Sequence, residues 1–144
     1  MATVRDVLNR KGHDVYHVDP DASVLAALEI MAEHDIGALI VLDDGDLVGI
    51  ITERDYAQKI VLKGRTSPTT AVWEIMSTRV ICARPVQTVE ECMAIMTAKA
   101  VRHLPVLEHD KVIGLVSIGD MVKSVIADQK FIIEQLEHYI QGGR

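Results

Sequence analysis

Apolar residues recur at two different spacings in the first half of the chain, and each spacing predicts a different element. Between residues 24 and 34 they recur every three or four positions, which predicts a helix with one apolar face. Two unbroken apolar runs of strand length follow, over residues 38–42 and 47–51, and the turn-forming residues between them predict a hairpin buried on both faces. A short strand over residues 15–18 and a second helix over residues 52–62 complete the predicted order β-α-β-β-α.

The same order of elements occurs again 65 residues later. Residues 15–55 and 80–120 align without a gap, and ten aligned pairs are identical. The second copy predicts a strand over residues 80–83, a helix from Thr88, a hairpin over residues 104–117 and a helix from about Ile118. Each copy is too short to bury a good core alone, so the repeat predicts one pseudo-symmetric α/β domain with clefts between its halves.

Smaller features agree with this organisation. Ser23 offers a side-chain oxygen at the start of the first predicted helix, and Thr88 with Glu91 fits a capping box at the start of its equivalent. A lead-in segment precedes each half, and the segments Val4–Leu8 and Val72–Met76 correspond at an offset of 68. The difference of three residues between the two offsets falls between lead-in and strand, where a loop can absorb it.

The end of the chain departs from the repeat. Residues 121–140 carry apolar side chains close to heptad spacing, which predicts a long helix that Gly142-Gly143 ends. This helix either packs on its own domain or contacts a second subunit, and the sequence leaves both readings open. We therefore expect a single module over residues 1–144, divided as follows: first repeat 1–63, exposed linker 64–71, second repeat 72–127, C-terminal helical extension 128–144.

Composition and charge narrow the class of protein. Fifteen basic residues face 21 acidic ones, for a net charge of −6, and no basic run is present to neutralise a phosphate backbone, which disfavours nucleic-acid binding. No window approaches the roughly 18 apolar residues that a membrane span needs, and residues 1–10 do not form a secretion signal. Cys82 and Cys92 form no Cys-x-x-Cys pair and predict free thiols. We expect a soluble, cytoplasmic protein.

One signature occurs at the same place in both halves, as Gly49-Ile-Ile-Thr52-Glu-Arg-Asp55 and Gly114-Leu-Val-Ser117-Ile-Gly-Asp120. On these residues, and on Arg102-His103-Leu104-Pro105-Val106, the chain resembles a tandem pair of CBS domains. Ile40 stands where the second repeat has Pro105 and departs from that pattern. The resemblance implies two repeats packed face to face around a pseudo-twofold axis, with adenosyl compounds bound in the clefts: AMP first, or ADP, ATP, NAD(H) or S-adenosylmethionine.

The signature has a chemistry of its own. A hydroxyl and a carboxylate three residues apart, where a strand becomes a helix, suit a nucleotide: the carboxylate accepts from ribose hydroxyls while the hydroxyl and the free N–H groups receive phosphate. The same spacing is close to an ordinary capping box, and for one isolated copy capping is the better account. Two copies at matching positions favour a ligand site, and the two roles are compatible.

The resemblance also implies which residues form each site, joining the signature of one repeat to the first strand and pre-hairpin residues of the other. The first site combines Ile50, Thr52, Asp55, Val80, Ile81, Val101, Arg102 and His103. The second combines Leu115, Ser117, Asp120, Val15, Tyr16, Ile36, Gly37 and Ala38. Arg54 adds a second guanidinium to the first site, and phosphate is expected to bind where Arg54 and Arg102 converge. Arg102 is placed to serve either cleft.

These features predict a non-catalytic sensor of adenine nucleotides that signals by a change in the arrangement of its repeats or of a homodimer, read by an effector protein that the sequence does not name. The alternative is a constitutive interaction subunit with vestigial sites. No arrangement of nucleophile and base is evident, so an enzyme is not predicted.

No metal site is predicted either. The six histidines show no ligand spacing with the cysteines, and only His17 and His103 are expected near a cleft. The acidic residues at 43, 44 and 46 fit a hairpin turn better than a calcium loop.

Overall fold

The computed structural model describes residues 1–142 and has the predicted mixed α/β architecture. The helices are α1 (Val4–Lys11), α2 (Val24–His34), α3 (Glu53–Tyr56), α4 (Val89–Lys99) and α5 (Ile118–Gly142). The strands are β1 (His17–Val18), β2 (Ala38–Asp43), β3 (Asp46–Thr52), β4 (His103–Glu108) and β5 (Lys111–Ser117). A π-helical turn over Ala57–Val61 extends α3 to the predicted length, and a 3₁₀ turn over Val72–Glu74 begins the second half.

Local signals of the sequence explain where the predicted helices and hairpins begin and end. The Ser23 hydroxyl accepts from the Ala26 amide at 3.0 Å and starts α2 as predicted. Thr88 caps α4 in the same way, although the Glu91 carboxylate accepts from the Thr88 hydroxyl and not from its backbone, so only half of that capping box forms. The hairpin β2–β3 turns at Asp44 and Gly45, which both adopt positive φ as a tight two-residue turn requires.

The predicted strand over residues 80–83 is wrong. In the first repeat β1 pairs in parallel with β2, whereas in the second repeat only Ala83 bridges β4, with its N–H on the Pro105 carbonyl and its carbonyl on the Leu107 N–H. The next bond of a parallel ladder would need the N–H of residue 105, and proline has none. The first repeat has Ile40 at the equivalent position, so its ladder continues through His17.

Two equivalent hydrophobic cores form, and each lead-in segment packs on the opposite repeat. The first core contains α2, β2 and β3 together with Val72 and Ile75 of the second lead-in. The second core contains α4, β4 and β5 together with Val4, Val7 and Leu8 of α1. Because the lead-ins are exchanged in this way, the two repeats are held together by buried apolar contacts as well as by their facing surfaces.

The glycine of each signature makes room for this exchange. A Cβ atom at Gly49 would lie 2.6 Å from the Met76 sulfur, and one at Gly114 would lie 2.6 Å from Cδ2 of Leu8. Met76 and Leu8 occupy equivalent places in their lead-ins, so the two contacts are related by the pseudo-twofold symmetry. A side chain at either glycine would push the lead-in away from the sheet.

Helix α5 continues the last helix of the second repeat without a break. Its first part is packed on the domain, with Met121 fully buried and Ser124 2% exposed, but residues 129–139 are all exposed. The tail therefore does not pack on its own domain over that stretch. The helix is described as far as Gly142, and Gly143, the other half of its predicted end, lies outside the described residues. Within residues 1–142, no helix combines the length and apolar character that a membrane span needs.

Candidate functional site

The signature residues of the first repeat form a reciprocal capping box at the junction of β3 and α3. The Asp55 amide donates to the Thr52 hydroxyl at 3.1 Å, and Oδ2 of Asp55 accepts from the Thr52 amide at 3.0 Å. Oδ1 of Asp55 lies 3.0 Å from the Lys59 ammonium, one turn further along the chain. The Asp55 carboxylate therefore satisfies the helix start on one side and faces a cation on the other.

The second repeat builds the same box from Ser117 and Asp120. The Ser117 amide donates to Oδ2 of Asp120 at 2.8 Å, and the Asp120 amide donates to the Ser117 hydroxyl at 3.2 Å. Here, however, the cation comes from the far end of the chain. The Lys11 ammonium at the end of α1 donates to Oδ2 of Asp120 and to the Leu115 carbonyl, each at 2.7 Å. The two signature sites are therefore closed by different partners.

One cavity joins the two repeats and contains the residues predicted for the first site. We call it the first cleft; its volume is about 870 Å³. All nine residues assigned to the first site line it: Ile50, Thr52, Arg54, Asp55, Val80, Ile81, Val101, Arg102 and His103. Seven further residues line it as well: Gly37, Glu53, Gln58, Lys59, Ser77, Arg79 and Ala100. The volume lies within the range of ligand sites in proteins, roughly 300–1,000 Å³.

Cations outnumber anions on the wall of the first cleft. Arg54, Arg79 and Arg102 are exposed there, and Lys59 lies beside Asp55, while Glu53 is the other acidic residue among the lining residues. The charges of Lys59 and Asp55 offset each other, which leaves three guanidinium groups and the Glu53 carboxylate on the wall. Guanidinium groups bind phosphate in bidentate fashion, so the electrostatics favour an anionic ligand.

Two of these residues were not predicted from the sequence, although signals for both exist. Lys59 stands four residues after Asp55, which on a helix places the two side chains on one face. Arg79 stands 68 residues after Lys11, the same offset that relates the two lead-in segments. Lys11 and Arg79 are thus equivalent positions, yet Lys11 is bonded to Asp120 while Arg79 lines an open cleft.

His103 lies between the two signature sites. A Cβ atom at Gly37 would lie 3.6 Å from Nε2 of His103, so the imidazole stands close to that backbone. Burial lowers the pKa of His103, the Lys11 and Arg102 charges lower it further, and the Asp120 carboxylate partly opposes them. The imidazole is therefore biased towards its neutral form while it touches the first cleft and senses charges of the second site.

The residues assigned to the second site have separate environments. Gly37, which was predicted for the second site, lines the first cleft, and Ala38 is fully buried. Tyr16 stacks on His34 with ring centroids 3.8 Å apart, and both Tyr16 and Ile36 pack against the first core. Val15 is half-buried just before β1. The Leu115 carbonyl and the Asp120 carboxylate both accept from the Lys11 ammonium.

Burial opposes ionisation of Asp120, but the hydrogen bonds from Lys11 and Ser117 outweigh it and hold the pKa of this carboxyl below its usual range. The carboxylate is 16% exposed and its Oδ2 already accepts from two groups. The Lys11 ammonium and the Ser117 amide therefore share Oδ2 of Asp120.

Other candidate chemistry in the described residues is sparse. A second concavity of about 560 Å³ lies between residues 82–86 and the tip of the β4–β5 hairpin, and none of the predicted site residues lines it. Within residues 1–142, no three His, Cys, Asp or Glu side chains are grouped to hold a metal ion. Cys82 and Cys92 are free thiols, and burial raises the pKa of both; the nearby Glu91 charge adds to the effect at Cys92.

Comparison with known proteins gives a consistent result. The family model of the CBS domain matches twice, over residues 4–62 and 72–127. Among curated proteins, the mitochondrial CBS domain-containing protein CBSX3 of Arabidopsis thaliana is 39% identical over 150 residues, which cover 98% of this chain and 73% of that protein.

Two solved structures show the same fold. The CBS domain protein NE2398 is 49% identical, with a TM-score of 0.83, over 86% of this chain and 97% of that one. The CBS domain pair of protein MJ0100, solved in complex with 5′-methylthioadenosine and S-adenosyl-L-methionine, is 25% identical, with a TM-score of 0.78, over 89% of this chain and 98% of that one.

Proposed function

Because this chain belongs to the CBS-domain family, we propose that it is a non-catalytic regulatory module that binds an adenine nucleotide, AMP in the first instance, in the first cleft. The observation that carries the proposal is the cleft itself, in which Thr52 and Asp55 of one repeat face Val80, Ile81 and residues 101–103 of the other. A ligand seated there touches both repeats and can report their relative position. The adenosyl ligands of the MJ0100 domain pair support the choice of ligand class.

Each end of the nucleotide has a partner in the first cleft. Apolar side chains at 50, 80, 81 and 101 provide walls for the adenine ring. The Asp55 carboxylate has about four acceptor positions, of which the Thr52 amide, the Thr52 hydroxyl and Lys59 use three. Lys59 also donates to the Ile75 carbonyl at 2.8 Å, and a ribose hydroxyl bound to Asp55 would take the place of its ammonium at Oδ1. The guanidinium groups of Arg54, Arg79 and Arg102 then take the phosphate.

The capping contacts of Asp55 do not exclude this role. The capping box at the start of α3 uses Oδ2 of Asp55, whereas the ribose would bind to Oδ1. The box in fact supports binding, because it fixes the carboxylate before a ligand arrives and so reduces the entropy lost on binding.

We propose one nucleotide per chain, held in the first cleft. At the second signature the Lys11 ammonium already donates to Oδ2 of Asp120 and to the Leu115 carbonyl, which places a cation of the chain itself there. A ligand that used Oδ2 of Asp120 or the Leu115 carbonyl would have to displace one of these charged hydrogen bonds first.

The module of residues 1–144 would act as one unit, since each lead-in segment is packed in the core of the opposite repeat. A nucleotide that bridges the repeats stabilises one relative orientation of the two halves, and a homodimer transmits that preference to an effector protein. The nucleotide can shift the equilibrium between the two orientations only by as much as its affinities for them differ.

Isothermal titration of the nucleotide-free full chain with AMP, ADP, ATP, NAD⁺, NADH and S-adenosylmethionine tests the ligand directly. Thermal unfolding gives a second readout, because a ligand at 100 times its dissociation constant adds about 2.7 kcal/mol of stability. The expected result is saturable binding of at least one phosphate-bearing adenosine. Absence of heat and of any shift in unfolding temperature with all six compounds would remove the sensor function.

A matched pair of variants separates binding from capping. Asp6 forms the same reciprocal box with Thr3 at the start of α1 but does not line the first cleft. Asp55→Asn and Asp6→Asn should each lower folding stability through the weakened capping box. Only Asp55→Asn should weaken nucleotide binding, by about tenfold or more.

The constitutive interaction subunit remains the alternative function, and the exposed stretch of α5 is the observation that favours it. If the panel shows no binding while the full chain forms a stable complex with itself or with another protein, the chain acts through that surface alone.

A further inference from the structure

The exposed part of α5 carries large apolar side chains that no part of the described chain covers. Ile132, Ile133, Leu136 and Tyr139 are 54–78% exposed. At 100° per residue these four lie on one side of the helix, whereas Phe131 points to the opposite side. A helix that exposes so much apolar surface on one face is typical of one that pairs with another chain.

The two edges of this apolar face differ in character. Ile133 and Leu136 form the centre, as the a and d positions of a heptad. On one edge lie Ile132 and Tyr139, both apolar. On the other edge lie Lys130 and Glu137, which are one heptad apart and opposite in charge.

The edges decide which direction a second copy would take. In a parallel pair the apolar edge of one helix lies against the charged edge of the other, which would set Ile132 beside Glu137 of the second copy. In an antiparallel pair like edges meet, so Ile132 contacts Tyr139 and Lys130 faces Glu137, each twice by symmetry. Only the antiparallel arrangement covers the apolar edge and pairs the charges.

We propose that α5 pairs antiparallel with α5 of a second copy of this chain, with Ile133 against Leu136 of that copy. This layer stands at the middle of the exposed stretch of residues 129–139, which is about 16 Å long at 1.5 Å per residue. The two globular bodies then lie at opposite ends of the helix pair. The inference deepens the homodimer of the proposed function but does not depend on its ligand.

Sedimentation equilibrium of the full chain between about 5 and 500 μM measures the dimer dissociation constant, and variants at Lys130 and Glu137 test whether these charges face each other in the dimer. Lys130→Glu places two acidic groups opposite each other and Glu137→Lys places two basic ones, so each single variant should raise the dimer dissociation constant about tenfold. The double variant Lys130→Glu/Glu137→Lys restores opposite charges and should recover most of the wild-type affinity. Lys123→Glu is the matched control, because it makes the same charge change on the same edge outside the paired stretch.

Cysteine cross-linking tests the direction. Chains carrying Ile133→Cys are mixed with chains carrying Leu136→Cys, both in a Cys82→Ser background, and oxidised mildly. The antiparallel pair should give the mixed disulfide between positions 133 and 136, resolved by mass spectrometry. A dimer insensitive to the charge variants, a monomer at every concentration, or a disulfide formed between two copies of position 133 would each overturn the proposal. Nucleotide titration of the same variants shows separately whether the first cleft still binds.

Discussion

The Lys11 ammonium lies 2.7 Å from Oδ2 of Asp120, across 109 residues of sequence. It links the end of α1 to the start of α5 and closes the second signature from within the chain. The equivalent carboxylate, Asp55, is paired with Lys59 from its own helix, and the equivalent cation, Arg79, lines the first cleft. One pseudo-symmetric framework therefore holds two unequal sites.

Lys11→Met should lower the free energy of unfolding at neutral pH by about 1 kcal/mol or less, since the lysine keeps 38% of its side chain exposed. The pair lowers the pKa of Asp120 in the folded state, so its contribution is present above the ordinary aspartate pKa and is lost as the pH falls through the lowered value. Urea unfolding of both proteins between pH 7 and pH 3 should show the two stability curves converging at acid pH. Two stability curves that stay parallel down to pH 3 would show that Lys11 does not stabilise the charged form of Asp120.

The stoichiometry of nucleotide binding should be one per wild-type chain and should rise towards two in Lys11→Met, because that change frees the Leu115 carbonyl and one side of Asp120. Isothermal titration gives the number of sites directly. Lys59→Met is the comparison: it changes the first cleft and should alter the affinity without adding a site. Two sites of similar affinity in the wild-type chain would contradict the role given to Lys11.

The pKa of His103 should be measurably below that of a free histidine, because burial and the Lys11 and Arg102 charges oppose its protonation. At a pH just below about 6.5, the ordinary histidine value, His103 is protonated more fully in the unfolded chain than in the folded chain. The free energy of unfolding should therefore decrease as the pH falls through that value. His103→Gln should remove part of this dependence. NMR titration of the ring protons checks the pKa, and a bound phosphate in the first cleft should raise it.

Gly114→Ala should destabilise the protein by about 1–3 kcal/mol, since its new methyl group would overlap Leu8. Gly119→Ala is the control: it meets only the Ser117 hydroxyl at 3.6 Å and lies in α5, so it should be neutral or slightly stabilising. A double-mutant cycle with Leu8→Ala should show that the two losses are less than additive, because the shorter side chain leaves space for the methyl group. Full additivity would mean that the lead-in does not press on Gly114.

Local structure was largely predictable from the residues. The spacing of apolar positions and the caps at Ser23 and Thr88 predicted α2 and α4, and the turn at Asp44-Gly45 predicted the first hairpin. These elements depend on contacts between residues a few positions apart, which a pattern contains. The prediction of a strand over residues 80–83 failed because Pro105, on a different strand, has no N–H to continue the ladder.

The candidate site was predictable in part. Duplication of the signature, together with the family resemblance, indicated the residues that line the first cleft. It did not indicate Lys59 or Arg79, nor that Gly37 would lie with the first site. Equivalence between the two copies suggested two similar sites, and a single long-range contact from Lys11 made them different.

By itself, the sequence determined the repeat, the order and type of most elements, and the chemistry available at each signature, because these follow from side-chain identity and short-range periodicity. The tertiary structure alone decided which repeat each lead-in segment joins, which cation faces each carboxylate, and which stretch of α5 is left exposed. Those outcomes depend on which distant surfaces bury each other best, and that choice is made by the packing of the whole chain.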